Sequence, residues 1–206
     1  MPVHLPAFIV TTFLLAMLPG AGQALMTRQV IEGGRRVAPA TAAGTCTGLL
    51  AWTAAAAAGL SAILLANPGA YALVRVAGGL LLAGLGIRAL LSLRRPAAAA
   101  TRGGLTGEGR RRAYVLGLLA NLGNPKAGVF AVSLLPQFLT AHGPVFWSSL
   151  ALGAVWAAVT ACWYLLFTWA VDRGRSVMSA PAFGRGLQLL TGCVLLALGA
   201  AVALGT

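Results

Sequence analysis

Asn121, Asn124, Pro125 and Lys126 stand close together in an otherwise apolar run, ANLGNPKAGVFAVSLLPQF, and Lys126 is the only lysine of the chain. In water these residues would need no explanation. In lipid, a charged side chain halfway along a span costs roughly 2.5 to 3.5 kcal/mol on insertion scales and marks a functional site by default. Proline removes one helical hydrogen bond and clashes with the preceding turn, so the helix is expected to break there. Carbonyls freed near Gly123 and Pro125 can accept from an ammonium, and the N-terminal end of the following half-helix exposes N–H groups that favour an anion. Asn121 and Asn124 add amide donors and acceptors about one turn apart, suited to the polar part of a small zwitterion. Three roles are open to Lys126: ligand of an anionic substrate group, carrier of a proton during transport, or a structural bond to the freed carbonyls of a neighbouring helix.

A second constellation lies in the first apolar run. Pro19, Gly20, Ala21 and Gly22 match Pro125, Lys126, Ala127 and Gly128, and Gln23 follows them. Pro19, Gly20, Gly22, Gln23, Asn121, Asn124, Pro125 and Lys126 are therefore the expected substrate-binding residues. No catalytic residue, metal ligand or cofactor is expected.

The elements that must position these residues follow from composition. Of 206 residues, 59% are hydrophobic and 9% charged, against about 25% charged in a soluble domain; the mean hydropathy is +0.86. Six apolar runs are each near the roughly 20 residues that cross a bilayer as helix: 7–26, 40–66, 71–91, 113–138, 144–171 and 186–204. Lipid leaves backbone N–H and C=O groups without partners, which selects helices, and no alternating strands are present. The expected fold is an all-α integral membrane protein. MPVHLPAF lacks a basic leader and the hydrophobic stretch is long for a signal peptide, so the first run is expected to be a retained span. Cys46, Cys162 and Cys193 show no metal or redox spacing and read as small packing residues.

The net charge of +12 is not a nucleic-acid signal, because thirteen of the fifteen basic residues fall in alternate connections. They are Arg28, Arg35 and Arg36; Arg88, Arg94, Arg95, Arg102 and Arg110 to Arg112; and Arg173, Arg175 and Arg185. The connections near Asn67 and His142 have none. Positive-inside bias then places the basic loops in the cytoplasm and both termini outside. Arg75, near the outer end of the third run, has the length to snorkel to water or to reach into the bundle. Phe146, Trp147 and Trp169 read as interfacial anchors.

The two halves also resemble each other. Beside the proline match, RVAGGLLLAGLG from Arg75 aligns with QLLTGCVLLALG from Gln188, pairing Gly79 with Gly192 and Gly86 with Gly199. Three spans per half is an odd number, so the second half enters the membrane inverted. The expected organisation is two inverted three-helix repeats, 1–93 and 113–206, joined by a flexible basic cytoplasmic linker at 94–112. Gly44, Gly48, Gly78 and Gly79 are expected where helices approach closely.

NPKAGVFAVSLLPQF resembles the Asn-Pro-Lys-Ala signature, followed by Phe and Pro-Gln-Phe, of the lysine exporter and homoserine/threonine resistance transporter family. FLLAMLPGAGQAL resembles that family's Pro-Gly-Pro-Asn segment, and AGGLLLAGLGIRALL its Gly-rich third span; the likeness covers nearly the whole chain. It implies a secondary exporter of amino acids or related small metabolites in a bacterial inner membrane, with protons as coupling ion. A homo-oligomer is compatible with it. Here the second proline and the asparagine of that segment are absent, and Gln23, one residue later, is turned by about 100° on a continuous helix. The three acids, Glu32, Glu108 and Asp172, lie in or beside cytoplasmic loops. With no carboxylate in the spans, neutral or small hydroxylated amino acids fit better than cationic ones. Intramembrane hydrolysis, thiol–disulfide exchange and metal export lack their residues. The alternative to a carrier is a channel or a non-transporting membrane protein.

Overall fold

The computed structural model describes residues 5–18, 20–33, 35–66, 68–93, 109–139, 144–174 and 181–204. The expectations for Pro19, Asn67, His142, Arg175 and linker positions 94–108, and for the side chains of Arg75 and Gln188, lie outside the described residues. Among the described residues every regular element is helical. The α-helices are α1 (Leu5–Met17), α2 (Ala21–Gly33), α3 (Ala38–Ala66), α4 (Pro68–Ser92), α5 (Arg110–Leu122), α6 (Pro125–Ser133), α7 (Val145–Arg173) and α8 (Pro181–Leu204). Short 3-10 turns cover Arg35–Val37 and Leu135–Phe138.

Two of the expected runs are each divided in two. Leu5–Met17 meets Gly22–Val30 at 55°, and Arg110–Leu122 meets Pro125–Phe138 at 57°. The second break has a clear local cause. Asn124 sits in extended backbone at the N-cap of α6 and its side-chain oxygen accepts from the Lys126 N–H at 3.1 Å. Pro125 takes the first helical position, where its missing N–H costs nothing and its fixed φ suits a helix start. At the first break the Leu18 N–H closes a tight turn on the Leu15 carbonyl, and the Gly20 carbonyl accepts from Ala24 to open α2.

Val145–Arg173 is by itself long and apolar enough to cross a membrane, and each bent pair is so when taken as one span. Within α4 and α8 the stretches Val76–Arg88 and Gly192–Leu204 are apolar but shorter. The expected linker begins to be helical earlier than composition suggests: Arg110 to Arg112 form the first turn of α5. Large apolar side chains such as Leu73, Leu80, Leu119, Trp147 and Leu166 face outward, the surface a lipid-facing bundle presents.

Small residues set how closely the helices pack. α3 and α5 run parallel in near contact: a Cβ at Gly44 would overlap the Tyr114 carbonyl oxygen, one at Gly117 the Thr41 carbonyl, and one at Gly48 would lie 2.7 Å from Asn121 Oδ1. α4 and α8 run antiparallel, with Gly79 against Gly199 and Gly86 against Gly192. Gly78 is pressed against Ser133 at the end of α6. The close approach expected at Gly44, Gly48, Gly78 and Gly79 is thus found at all four. α3 and α7 cross antiparallel, Gly153 lying against Thr53 and the Cys46 thiol donating to the Ala157 carbonyl at 3.3 Å. The central core joins Phe8 and Leu15 of α1, and Leu18 just beyond it, to Phe130 of α6 and Trp156 of α7. Phe130 is fully buried, its ring 4.6 Å from that of Trp156 and 6.4 Å from that of Phe8. That packing sets α6 beside α1.

Candidate functional site

The last carbonyls of a helix have no partner within it and carry the negative end of its dipole. At α1 four consecutive ones are served by two side chains from elsewhere. Lys126 Nζ donates to the carbonyls of Leu15 at 3.1 Å and Leu18 at 3.0 Å. Gln23 Nε2 donates to those of Ala16 at 2.8 Å and Met17 at 3.4 Å. The ammonium belongs to the second position of α6, where it would oppose the positive end of its own helix. By reaching across to α1 it lies instead at a negative end.

The two breaks therefore meet. A Cβ at Gly20 would lie 3.5 Å from Lys126 Nζ and 3.6 Å from Asn124 Nδ2. Gly22 faces Tyr164, whose hydroxyl would be 2.9 Å from a Cβ placed there. Asn121 is buried at 6% exposure; its carbonyl accepts from Trp52 Nε1 at 3.4 Å and from the Asn124 N–H at 2.9 Å. Its side-chain oxygen, like Gln23 Oε1, is a buried acceptor with no partner among the described residues. Pro125 is exposed and lines an apolar groove with Ala77, Leu81 and Val132, on the outer surface rather than at the polar site. Pro19 lies outside the described residues.

Gln23 occupies a place the sequence alone disfavoured. On a continuous helix its amide would point away from the neighbouring turn, but the chain is interrupted between Met17 and Ala21, and the side chain folds back over seven residues to cap α1. Sequence reasoning missed Trp52 and Tyr164. The signal for each was a glycine one helix away: Gly128 leaves room for the Trp52 ring, at 2.9 Å from a Cβ placed there, and Gly22 for Tyr164. Among the described residues no three His, Cys, Asp or Glu side chains gather to hold a metal.

Because Asn124 both caps α6 and adjoins Lys126, Asn124→Ala is expected to lower stability by about 1 kcal/mol. A reduced thermal midpoint of the detergent-solubilised protein would register this, with Asn124→Ser, which keeps a capping oxygen, close to wild type.

An apolar helical bundle in which two interrupted helices meet at a half-buried cation has the build of a membrane translocator. The sequence pattern of the LysE type translocator family matches residues 13–206, and the chain belongs to that family. It is 28% identical over 200 residues to the homoserine/homoserine lactone efflux proteins of Salmonella typhi and Salmonella typhimurium (strain LT2), covering 96% of this chain and 94% of each relative. It is 22% identical over 199 residues to the uncharacterized membrane protein YrhP of Bacillus subtilis (strain 168), covering 94% of this chain and 95% of that one. No solved structure matches the chain significantly.

Proposed function

We propose that this chain exports amino acids or related small metabolites, neutral or small hydroxylated ones, across a bacterial inner membrane by alternating access. The observation that carries the reading is the Lys126 ammonium bridging from α6 to the carbonyl end of α1. A zwitterion has one group for each side of that bridge. Its carboxylate suits the Lys126 ammonium and the positive end of the α6 dipole; its ammonium suits the Leu15 and Leu18 carbonyls that Lys126 releases. Insertion hands the two cation–carbonyl contacts of Lys126 to the substrate ammonium and adds an ion pair between Lys126 and the carboxylate, and it loosens the tie between the broken helices. A cationic side chain finds no carboxylate among the residues at the breaks. The export of homoserine named for two relatives agrees with this class.

The reading includes six spans arranged as two inverted repeats, 1–93 and 113–206, with the basic linker 94–112 on the cytoplasmic side and both termini outside. The α4–α8 contact supports it. Exchanging Gly79 for Gly192 and Gly86 for Gly199, as the repeat alignment requires, maps the Gly79–Gly199 contact onto Gly192–Gly86, and both contacts exist. Protons are the proposed coupling ion.

The test is efflux from proteoliposomes loaded with labelled L-homoserine or L-threonine. Saturable flux that shows countertransport and responds to an imposed pH gradient is the expected result. Linear flux without countertransport would replace the carrier by a channel, and no amino acid flux at all would end the proposal.

A further inference from the structure

Hydroxyls on the helices of this protein have a regular habit. Thr12, Thr45, Thr47, Thr53, Ser149 and Thr168 each donate to the carbonyl one turn earlier, satisfying themselves on their own backbone. Thr160, in the middle of α7 and 4% exposed, departs from it: its hydroxyl has no partner among the described residues. A buried polar group without a partner costs about 1 to 3 kcal/mol, so it points to something that arrives.

Its surroundings indicate what. Trp156, Thr160 and Tyr164 follow at intervals of four and share one buried face of α7. Trp156 meets Phe130, one turn beyond Lys126 on α6, and the Tyr164 hydroxyl faces Gly22 at the start of α2. Thr160 is thus level with the interval between the starts of α6 and α2, where the two breaks meet. The same level holds another unpartnered buried acceptor, Gln23 Oε1 of α2.

We propose that Thr160 is the selectivity residue for the substrate's side chain, its hydroxyl exchanging a hydrogen bond with a side-chain hydroxyl while Lys126 and the α1 carbonyls hold the zwitterion. The assignment rests on the transport reading above. It is a property of α7, an element that contributes none of the groups that bind the carboxylate and ammonium.

Matched pairs test it: L-threonine against L-valine and L-homoserine against L-norvaline, compared in proteoliposomes for wild type, Thr160→Val and Thr160→Ser. Wild type is expected to export the hydroxylated member about tenfold faster or more, since a site built for a hydroxyl rejects the analogue that lacks it. Thr160→Val brings the ratio close to one by losing the hydroxylated substrate while export of the apolar one persists; Thr160→Ser keeps the ratio. An unchanged ratio in Thr160→Val, or an equal loss of both members in a normally folded variant, overturns the assignment and leaves the transport reading standing. Absence of saturable transport by the wild-type protein overturns both.

Discussion

Replacing Lys126 by methionine is expected to reduce export at least about a hundredfold while the protein still accumulates in the membrane. The ammonium is the group proposed to pair with the substrate carboxylate, a charge-assisted contact contributing roughly 1.5 to 3 kcal/mol, and about 2.7 kcal/mol is already a hundredfold in rate. Insertion should survive for two reasons. Methionine removes the cost of a charge at mid-span, and Gln23 still caps the Ala16 and Met17 carbonyls. Flux through vesicles, normalised to the amount of folded protein, measures the effect. Wild-type flux in Lys126→Met would reduce the lysine to a fastening of α1. A complete loss of folded protein would make it a structural necessity first and a ligand second, and Lys126→Arg, which keeps the charge, then separates the two.

Gly44→Ala and Gly117→Ala are expected to be among the most disruptive single-methyl changes in the described structure. Each new methyl would overlap a backbone carbonyl of the facing helix, Tyr114 for Gly44 and Thr41 for Gly117. A side chain in the way can change rotamer, but backbone in the way forces the helices apart. Overpacking of this kind costs typically 1 to 3 kcal/mol even where side chains can yield, and here a loss at or above that range is expected, seen as a sharp fall in the folded fraction after extraction. Gly59→Ala and Gly84→Ala are the controls, because nothing lies within 4 Å of a Cβ at either position. They should be neutral or stabilising by up to about 1 kcal/mol, from helix propensity alone. If all four behave alike, the close approach of α3 and α5 is not what sets stability.

How much of this was readable beforehand depends on whether a feature is local. Asn124 and Pro125 announce the second break because a capping amide followed by a proline acts within a few residues, and the break lies where they stand. Likewise Gly79, Gly86, Gly192 and Gly199 announce close packing, since only glycine leaves the surface of a helix bare. The partners of Lys126 were not readable in the same way. An ammonium among apolar residues must be satisfied, but that its acceptors are carbonyls more than a hundred residues earlier follows from how Phe130 packs on Phe8 and Trp156. Gln23 was misjudged from helical phase because the interruption after Met17 resets the phase. The helical start at Arg110 escaped composition because three arginines oppose the helix dipole and look like linker. The roles of Pro19 and of positions 94–108 in the fold rest on the sequence.

Trp147 and Trp169 stand near opposite ends of α7, exposed, the first edge-to-face with Phe146 and the second beneath the Arg173 guanidinium at 4.7 Å. At the α-helical rise they are about 33 Å apart, close to the ~30 Å of an ordinary hydrocarbon core. α7 thus works as a ruler for bilayer thickness, and a modest tilt absorbs the small excess. Acyl chains markedly shorter or longer would rotate this ruler against the broken helices that lean on it, and under the proposed carrier function the lipid itself then becomes a variable that sets the rate of turnover.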